Sequence, residues 1–189
     1  MILALAVAVG LIVGLVRYRD LAFSRIAALP LRSIWLALLA VALQLPLLRV
    51  PAGPVQSVRV QQTLFLISHL SLLIFVWRNW RLTGVRILGL GVMCNLLVIA
   101  VNGGFMPISP QTLTRINPGS LTSQWLAGLR YGYSKDIILL REQTRLLMLS
   151  DVWVIPPPCP WPTAFSLGDV LIAFGIVVLL QGSAVKGRS

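Results

Sequence analysis

Five long apolar runs dominate the chain, and short polar segments separate the first four of them. The runs cover residues 2–16, 31–48, 60–77, 85–101 and 165–181. Lipid offers no hydrogen-bond partners, so a segment that crosses it must satisfy its own backbone groups as a helix. About 20 residues cross the hydrocarbon core of a bilayer. The pattern therefore predicts five membrane helices in one transmembrane domain over residues 1–189.

Composition supports the same fold class. The chain is 57% hydrophobic and 11% charged, with a mean hydropathy of +0.87. A soluble domain carries roughly 25% charged residues, so this chain has too few charges to cover a water-facing surface. We expect an all-α integral membrane bundle of about five transmembrane helices. The opening Met-Ile-Leu has no basic segment before the apolar run, which favours a retained first helix over a cleaved signal peptide.

Charge predicts the orientation in the membrane. The net charge is +11, and the basic residues form clusters between the apolar runs rather than a separate basic domain. We therefore expect contact with anionic lipids and not with nucleic acid. Short cytoplasmic loops are enriched in basic residues, which predicts a membrane protein with its N-terminus outside and its C-terminus in the cytoplasm. Nine basic residues on one side face two on the other: Arg17, Arg19, Arg25, Arg32, Arg78, Arg81, Arg86, Lys186 and Arg188 against Arg49 and Arg59.

The connection between the fourth and fifth runs, residues 102–164, is unusually long and lies outside in this topology. Loops of this length are commonly functional or disordered. Within it, residues 137–149 place apolar side chains at helical spacing, with Arg141, Glu142 and Arg145 on the other face. This predicts an amphipathic interfacial helix on the membrane surface. The alternative is a soluble helix that packs on the rest of the connection.

Polar groups near the membrane are the candidate functional residues, because they are costly there. Asp169 lies near the outer end of the fifth helix, where its carboxylate is a functional candidate. Ser166 and Asp169 also have the S-x-x-D spacing of a helix capping box, which is the structural alternative.

A second carboxylate, Asp151, lies 18 residues before Asp169 and on the same predicted face. Two close carboxyl groups can share a proton and activate water, so Asp151 and Asp169 are the candidate catalytic pair. The alternative for Asp151 is a solvated loop acid or a cap. Asn102, followed by Gly103 and Gly104, is expected to end the fourth helix, and its amide is a candidate donor to a ligand or to an Asp.

Inside the membrane, His69, Gln44 and Asn95 are the notable polar side chains. We expect hydrogen bonds between helices, with His69 paired to Gln44 or Asn95; the alternative is a pigment or haem ligand. One histidine does not make a His-based metal cluster, so no metal site is predicted, and the sequence identifies no cofactor. Cys94 and Cys159 lie in an apolar run and in the connection, and are not expected to pair.

Two stretches carry resemblances to known families. Residues 102–109 (NGGFMPIS) and 165–172 (FSLGDVLI) are similar to an uncharacterised family of small bacterial polytopic membrane proteins. That resemblance covers most of the chain and implies a fold and a location, the bacterial cytoplasmic (inner) membrane, but no activity.

The region around Asp151, together with residues 164–172, resembles the end of lipoprotein signal peptidase. This membrane enzyme has one catalytic Asp and a second within an F-N-x-A-D motif that opens its last helix. The resemblance implies that Asp151 and Asp169 form the catalytic pair, with Ser166 in a supporting position. The chain departs from the motif, because Ser166 replaces Asn and Gly168 replaces Ala, and it has five predicted helices rather than four.

Three functional hypotheses follow from the sequence. The first is a non-catalytic accessory or scaffold subunit that binds other membrane proteins, since polar chemistry is sparse. The second is an aspartic membrane hydrolase that uses Asp151 and Asp169. The third is a small-molecule transporter or ligand binder, for which Gln44, His69 and Asn95 would be the polar path.

Overall fold

The chain is mostly helical in the computed structural model, which describes residues 2–45, 55–121, 125–132 and 134–182. Short 3-10 helices lie at Arg19–Leu21, Arg141–Gln143 and Leu147–Leu149. The α-helices within the described ranges are α1 (Ile2–Tyr18), α2 (Ala22–Ala27), α3 (Trp35–Gln44), α4 (Val55–Arg78), α5 (Thr83–Val101), α6 (Pro110–Ile116) and α7 (Leu167–Leu180). The strands are β1 (Met106–Ile108), β2 (Asp136–Ile138), β3 (Trp153–Ile155) and β4 (Thr163–Phe165).

Each of the five predicted apolar runs contains an α-helix, namely α1, α3, α4, α5 and α7. Val58–Arg78 and Thr83–Val101 are long and apolar enough to cross a membrane, whereas α1, α3 and α7 are shorter apolar helices. The helical nature of the runs is confirmed. The last residues of the second run, 46–48, and the basic residues Arg49, Lys186 and Arg188 lie outside the described residues.

Glycines bring α5 and α7 together at very short range. Gly84 and Gly91 on α5 are seven residues apart, as are Gly168 and Gly175 on α7. A Cβ on Gly91 would lie 2.5 Å from the Gly168 carbonyl oxygen, and one on Gly175 would lie 2.5 Å from the Leu88 nitrogen. Small residues allow helix backbones to approach closely where no hydrophobic effect drives them together. The α5–α7 pair is therefore held by backbone-to-backbone packing.

A similar stripe joins α1 to α7. Ala6, Gly10 and Gly14 are the buried residues of α1, and their spacing of four places them on one face. A Cβ on Gly10 would lie 2.7 Å from the Leu180 Cδ1. Larger apolar side chains of α1 point away from the protein, as shown by Ile12, which is 59% exposed. Thus the buried face of α1 that packs toward α7 consists of small residues.

Asn79, in the turn between α4 and α5, is hydrogen-bonded to the segment between α2 and α3 at one end of the helices. Its side chain accepts a hydrogen bond from the Arg32 nitrogen at 2.7 Å and donates one to the Arg32 carbonyl at 2.8 Å. The Asn79 amide thereby satisfies a backbone donor and acceptor of the α2–α3 connection. At the same end, Arg25 Nη2 donates to the Gly182 carbonyl at 3.3 Å. We call this the basic end of the bundle.

A hydrophobic core cluster marks the opposite end, where α4 and α5 meet the start of the long connection. Phe65, Val98, Ile99, Phe105 and Met106 form this cluster, and each is at most 1% exposed. The connection therefore packs on the bundle from its first residues onward. We call this the connection end.

The connection contains two small sheets, so the chain is not purely α-helical as the sequence predicted. Strands β1 and β2 pair in parallel, with Met106 opposite Asp136 and Ile108 opposite Ile138. Strands β3 and β4 pair antiparallel, with Val154 opposite Ala164. Two-stranded ribbons are marginal alone. Here β1 packs on α5, and β3 and β4 pack on α6, which lies within the connection.

The predicted amphipathic helix over residues 137–149 is wrong, whether placed on the membrane or within the connection. Ile137 and Ile138 belong to β2, and the rest forms two 3-10 turns and irregular chain. Leu146 has a φ of 54°, a left-handed conformation that interrupts any right-handed helix. The start of this segment pairs with β1 as strand β2. This tertiary pairing replaces the helix that the local apolar spacing predicted.

Candidate functional site

Asp169 and Ser166 form the capping box that their spacing predicts. The Asp169 nitrogen donates to Ser166 Oγ at 3.0 Å, and the Ser166 nitrogen donates to Asp169 Oδ2 at 3.3 Å. These bonds satisfy backbone donors at the start of α7 that have no partner within the helix. The structural interpretation of Asp169 is therefore confirmed, and its other contacts decide what else it does.

Asn95 connects this cap to α5. Its Nδ2 donates to Asp169 Oδ1 at 2.9 Å, and its Oδ1 accepts from Ser166 Oγ at 2.9 Å. Gly168 is required for this arrangement, because a Cβ at that position would overlap Asn95 Oδ1. The Ala that the signal peptidase motif carries at this place would thus displace Asn95.

Asp151 is buried beside β1, at 2% exposure. Its nitrogen donates to the Pro107 carbonyl at 3.1 Å, and it forms a parallel bridge with Ile108. Asp136 begins β2 on the other edge of β1, opposite Met106. Strand pairing therefore brings together two carboxylates that are 15 residues apart in the chain.

The buried Asp136 and Asp151 carboxyl groups interact with each other, and the Asp136 side chain raises the pKa of Asp151. Among the described residues, Oδ1 of each is buried and has no hydrogen-bond donor. An ionised carboxylate only accepts hydrogen bonds, whereas a protonated carboxyl group can also donate. We call Asp136 and Asp151 the carboxyl pair.

Burial and mutual repulsion favour the protonated form of the carboxyl pair. Burial raises the pKa of Asp151 well above its usual value, and the neighbouring Asp136 charge raises it further, while Lys135 opposes both. Burial also raises the pKa of Asp136, again against the attraction of Lys135. Two close carboxyl groups cannot both ionise readily, so the pair binds a proton more readily than two separate carboxyl groups do.

Lys135 is the cation of this cluster. Its Nζ lies 3.9 Å from Asp169 Oδ2, and its side chain is 34% exposed. Burial alone would lower the Lys135 pKa, but the charges of Asp169, Asp151 and Asp136 outweigh it and raise the pKa. Lys135 stays charged and joins the capping box of α7 to the carboxyl pair.

The two residues of the predicted catalytic pair, Asp151 and Asp169, therefore have different principal partners. Asp151 and Asp169 lie in one cluster and affect each other electrostatically. Asp136 acts on Asp151 more strongly than Asp169 does, however, while Asp169 is bonded to Ser166 and Asn95 and paired with Lys135. A catalytic role for either residue stays a prediction.

Asn102 ends α5 as predicted, and it fastens the connection to that helix end. Its Nδ2 donates to the Val98 carbonyl at 2.7 Å and to the Arg145 carbonyl at 2.8 Å, while its Oδ1 accepts from the Arg145 nitrogen. Gly103 and Gly104 follow with φ of 82° and 88°, which suits glycine. The Asn102 amide is therefore used within the fold rather than aimed at an Asp.

His69 does not pair with Gln44 or Asn95, contrary to prediction. His69 Nδ1 lies 2.9 Å from the Phe65 carbonyl, and its ring meets the Phe65 ring edge to face. Gln44 Nε2 donates to Ser68 Oγ at 3.0 Å instead, and Asn95 belongs to the cap of α7. Ser68 Oγ also lies 3.4 Å from His69 Nδ1, so Gln44 and His69 are linked through Ser68, whereas Asn95 makes its contacts at the start of α7.

A cavity of about 290 Å³ opens next to the carboxyl pair. Asp136 lines it, together with Tyr131 and Asn117. Asn117 Nδ2 donates to the Tyr131 hydroxyl oxygen at 3.0 Å, so the Tyr131 proton is directed to another acceptor. Ser134 and Thr163 add further hydroxyl groups, and the apolar wall is formed by Ile108, Ile116, Pro162 and Ala164. The cavity thus combines a carboxyl group with several hydroxyl groups.

Within the described part of the chain, no group of His, Cys, Asp or Glu side chains could hold a metal ion.

The sequence pattern of a family of unknown function, DUF5317, matches residues 28–181. The chain belongs to this family. No curated protein and no solved structure matches the chain. The prediction of an uncharacterised family is confirmed, while the resemblance to lipoprotein signal peptidase stays a prediction.

The DUF5317 match includes the whole carboxyl cluster and its cavity, whereas α1 lies before it. Sequence reasoning missed Lys135, Asp136 and Arg130 in this region. Arg130 is 7% exposed and its Nη1 donates to Gln61 Oε1 at 2.5 Å, which links the connection to α4. Lys135 and Asp136 were visible in the sequence as a charged dipeptide. They lay in a predicted loop, so the sequence did not indicate which residues they would contact.

Proposed function

We propose that this DUF5317 protein is a polytopic integral membrane protein in which all five apolar helices, α1, α3, α4, α5 and α7, contribute to crossing the bilayer. Support comes from the large apolar side chains that every one of these helices exposes. Val16 is 78% exposed, Leu38 64%, Leu70 51%, Leu90 57% and Phe174 57%. A soluble monomer rarely exposes such extensive apolar surface, whereas lipid would cover it.

The same proposal places the connection end outside the cell and the basic end in the cytoplasm. The five helices alternate in direction, since α1 and α7 both end, and α5 begins, at the basic end. Arg17, Arg25, Arg32 and Arg78 lie at that end, which favours a cytoplasmic position. The carboxyl cluster would then face the outer side.

At this outer face, we infer that the cavity binds a small neutral molecule rich in hydroxyl or amide groups. The observation that carries this inference is the presence of Asp136 and Tyr131 on one cavity wall. Asp136 supplies an acceptor, and Tyr131 supplies a donor whose oxygen is already bonded to Asn117. A few convergent polar groups on a partly apolar wall are typical of ligand sites.

Charge and size narrow the class of ligand. The carboxyl pair carries a single negative charge when it holds one proton, Asp169 carries another, and Lys135 and Arg130 balance them. A neutral occupant leaves that balance undisturbed. The volume of about 290 Å³ lies at the lower limit of ligand pockets, which begin at roughly 300 Å³. A small polyol or amide fits better than a peptide.

The aspartic hydrolase alternative has less support. The carboxyl group that acts most strongly on Asp151 is that of Asp136 rather than that of Asp169. Only Asp136 of these lines the cavity, and Asp151 is 2% exposed, so a single water would not reach both carboxyl groups. The accessory-subunit hypothesis stays a prediction, for which the exposed apolar helix faces offer a surface.

Thermal unfolding of the purified full-length protein tests the binding proposal. Glycerol, erythritol, a pentitol and acetamide, each titrated at low millimolar concentration, are the probes. We expect at least one to raise the unfolding temperature saturably, because a ligand that binds only the native state stabilises it. Asp136→Asn and Tyr131→Phe should each weaken that probe's binding about tenfold, the effect of one lost hydrogen bond of about 1.5 kcal/mol.

Glu142→Gln is the matched control, because it removes an exposed carboxylate of the same connection that does not line the cavity. It should bind the probe as the unaltered protein does. Saturable binding that Asp136→Asn and Tyr131→Phe leave unchanged would contradict the proposed site, and the absence of saturation for all four probes would contradict the ligand class.

A further inference from the structure

A second cavity, of about 580 Å³, lies at the basic end of the bundle, where α1 and α7 end and α5 begins. It is lined by Arg17, Arg25, Tyr18, Thr83 and Gln181, together with Val178 and Gly182. It is far from the carboxyl cluster, which lies at the opposite ends of α5 and α7. Among the side chains that the structure describes, its polar lining carries positive charge and no carboxylate.

Two arginines line this cavity beside a tyrosine ring. The Arg25 guanidinium lies 4.1 Å from the centre of the Tyr18 ring, and that of Arg17 lies 5.3 Å from it. Among the side chains that the structure describes, which do not include that of Asp20, the single ion pair is Lys135 with Asp169. Within that set, both guanidinium charges therefore line the cavity without a counter-charge.

The start of α5 adds to the positive potential. Thr83 is its first residue, Leu82 provides no side-chain cap, and the first turn contains no acidic residue. The backbone N–H groups and the dipole of this 19-residue helix therefore favour an anion at its beginning. Arg25 and the helix start thus act on the same cavity from two sides.

We propose that this cavity binds a phosphate group, and that its resident ligand is an anionic phospholipid headgroup. A phosphate accepts hydrogen bonds from the Arg17 and Arg25 guanidinium groups that line the cavity, and its charge offsets theirs. Gln181 lines the same cavity and adds a polar side chain, for which a headgroup hydroxyl such as that of phosphatidylglycerol is a fitting partner. Basic pockets between membrane helices are known to hold such headgroups. The lipid source rests on the membrane location proposed above, whereas phosphate binding does not.

Native mass spectrometry of the full-length protein in detergent, with phosphatidylglycerol or phosphatidylcholine added at equal concentration, tests the proposal. We expect phosphatidylglycerol to be retained preferentially. Arg25→Gln should weaken its binding tenfold to about a hundredfold, the effect of losing a charged hydrogen bond. Arg17→Gln should weaken it less, because the Arg17 side chain is exposed.

Arg141→Gln serves as the control, since it removes an equal charge from an exposed site in the connection. Inorganic phosphate, titrated in a thermal unfolding assay, separates the two sources. Saturable stabilisation by phosphate that depends on Arg25 and Arg17 supports phosphate recognition even if lipid is not preferred. Lipid retention and phosphate stabilisation that neither arginine substitution alters would overturn the proposal. Arg17→Gln keeps the test valid if Arg25→Gln fails to fold.

Discussion

Replacing Gly91 by alanine is expected to lower the free energy of unfolding by about 1–3 kcal/mol, the usual cost of overpacking a tight interface. The added Cβ would lie 2.5 Å from the Gly168 carbonyl oxygen and 2.8 Å from the Ile172 nitrogen. Both are backbone atoms of α7, so no rotation of a side chain relieves the overlap. The two helices must separate, which also loosens Asn95 from the cap of α7. Equilibrium unfolding in a mixed detergent, followed by circular dichroism, measures the change.

Gly119→Ala is the matched control, because a Cβ at that exposed position meets no atom within 4 Å. Its free energy of unfolding should stay within about 0.5 kcal/mol of the unaltered protein, as for surface substitutions in general. Gly175→Ala probes the same interface from α7 and should resemble Gly91→Ala. Equal stability of Gly91→Ala and Gly119→Ala would show that α5 and α7 do not pack through their backbones.

Asp151→Asn is expected to remove most of the pH dependence of stability. The raised pKa of Asp151 means that the folded protein binds a proton more tightly than the unfolded chain does. Its stabilising effect is therefore complete below the unfolded pKa of about 3.9 and is lost as the pH rises through the folded pKa. Each unit by which the pKa is raised corresponds to about 1.4 kcal/mol.

The measurement is a series of thermal unfolding curves from pH 4 upward. The unaltered protein should lose stability with rising pH, whereas Asp151→Asn should show a flatter profile and higher stability at alkaline pH. The asparagine amide resembles the protonated acid, and it can donate to the Asp136 carboxylate. Glu142→Gln should keep the original profile, because Glu142 is exposed and outside the cluster. A profile that is unchanged in Asp151→Asn would refute the proton-sharing pair.

The helices were predictable because their signals are local. A long apolar run that crosses lipid must form a helix, because it has to satisfy its own backbone hydrogen bonds. The capping box of Ser166 and Asp169 likewise depends only on two residues three positions apart. Gly84, Gly91, Gly168 and Gly175 were also visible at seven-residue spacing. Which helices they join was not visible, because that depends on the order in which the helices pack.

The candidate site was only half predictable, since it depends on contacts between distant segments. Asp151 was recognised as an acid on the same face as Asp169. Its partner Asp136 reaches it through the pairing of β2 with β1, and residues 137–149 carry a helical pattern that concealed that strand. The tertiary contact of Arg145 with Asn102 and the left-handed Leu146 decided the local structure instead.

Labelling of the two native cysteines tests the central claim, that the connection and its carboxyl cluster lie outside a membrane-embedded bundle. Both cysteines are free, with Cys159 in the connection and Cys94 within α5. A membrane-impermeant maleimide, added to right-side-out vesicles, should modify Cys159 and not Cys94, and Cys159→Ser should abolish the signal. A cysteine introduced at Ser24, near the basic end, in a variant without the native pair should react only after permeabilisation. Labelling of Cys159 solely in inside-out vesicles, or release of the protein by alkaline carbonate washing, would contradict the account.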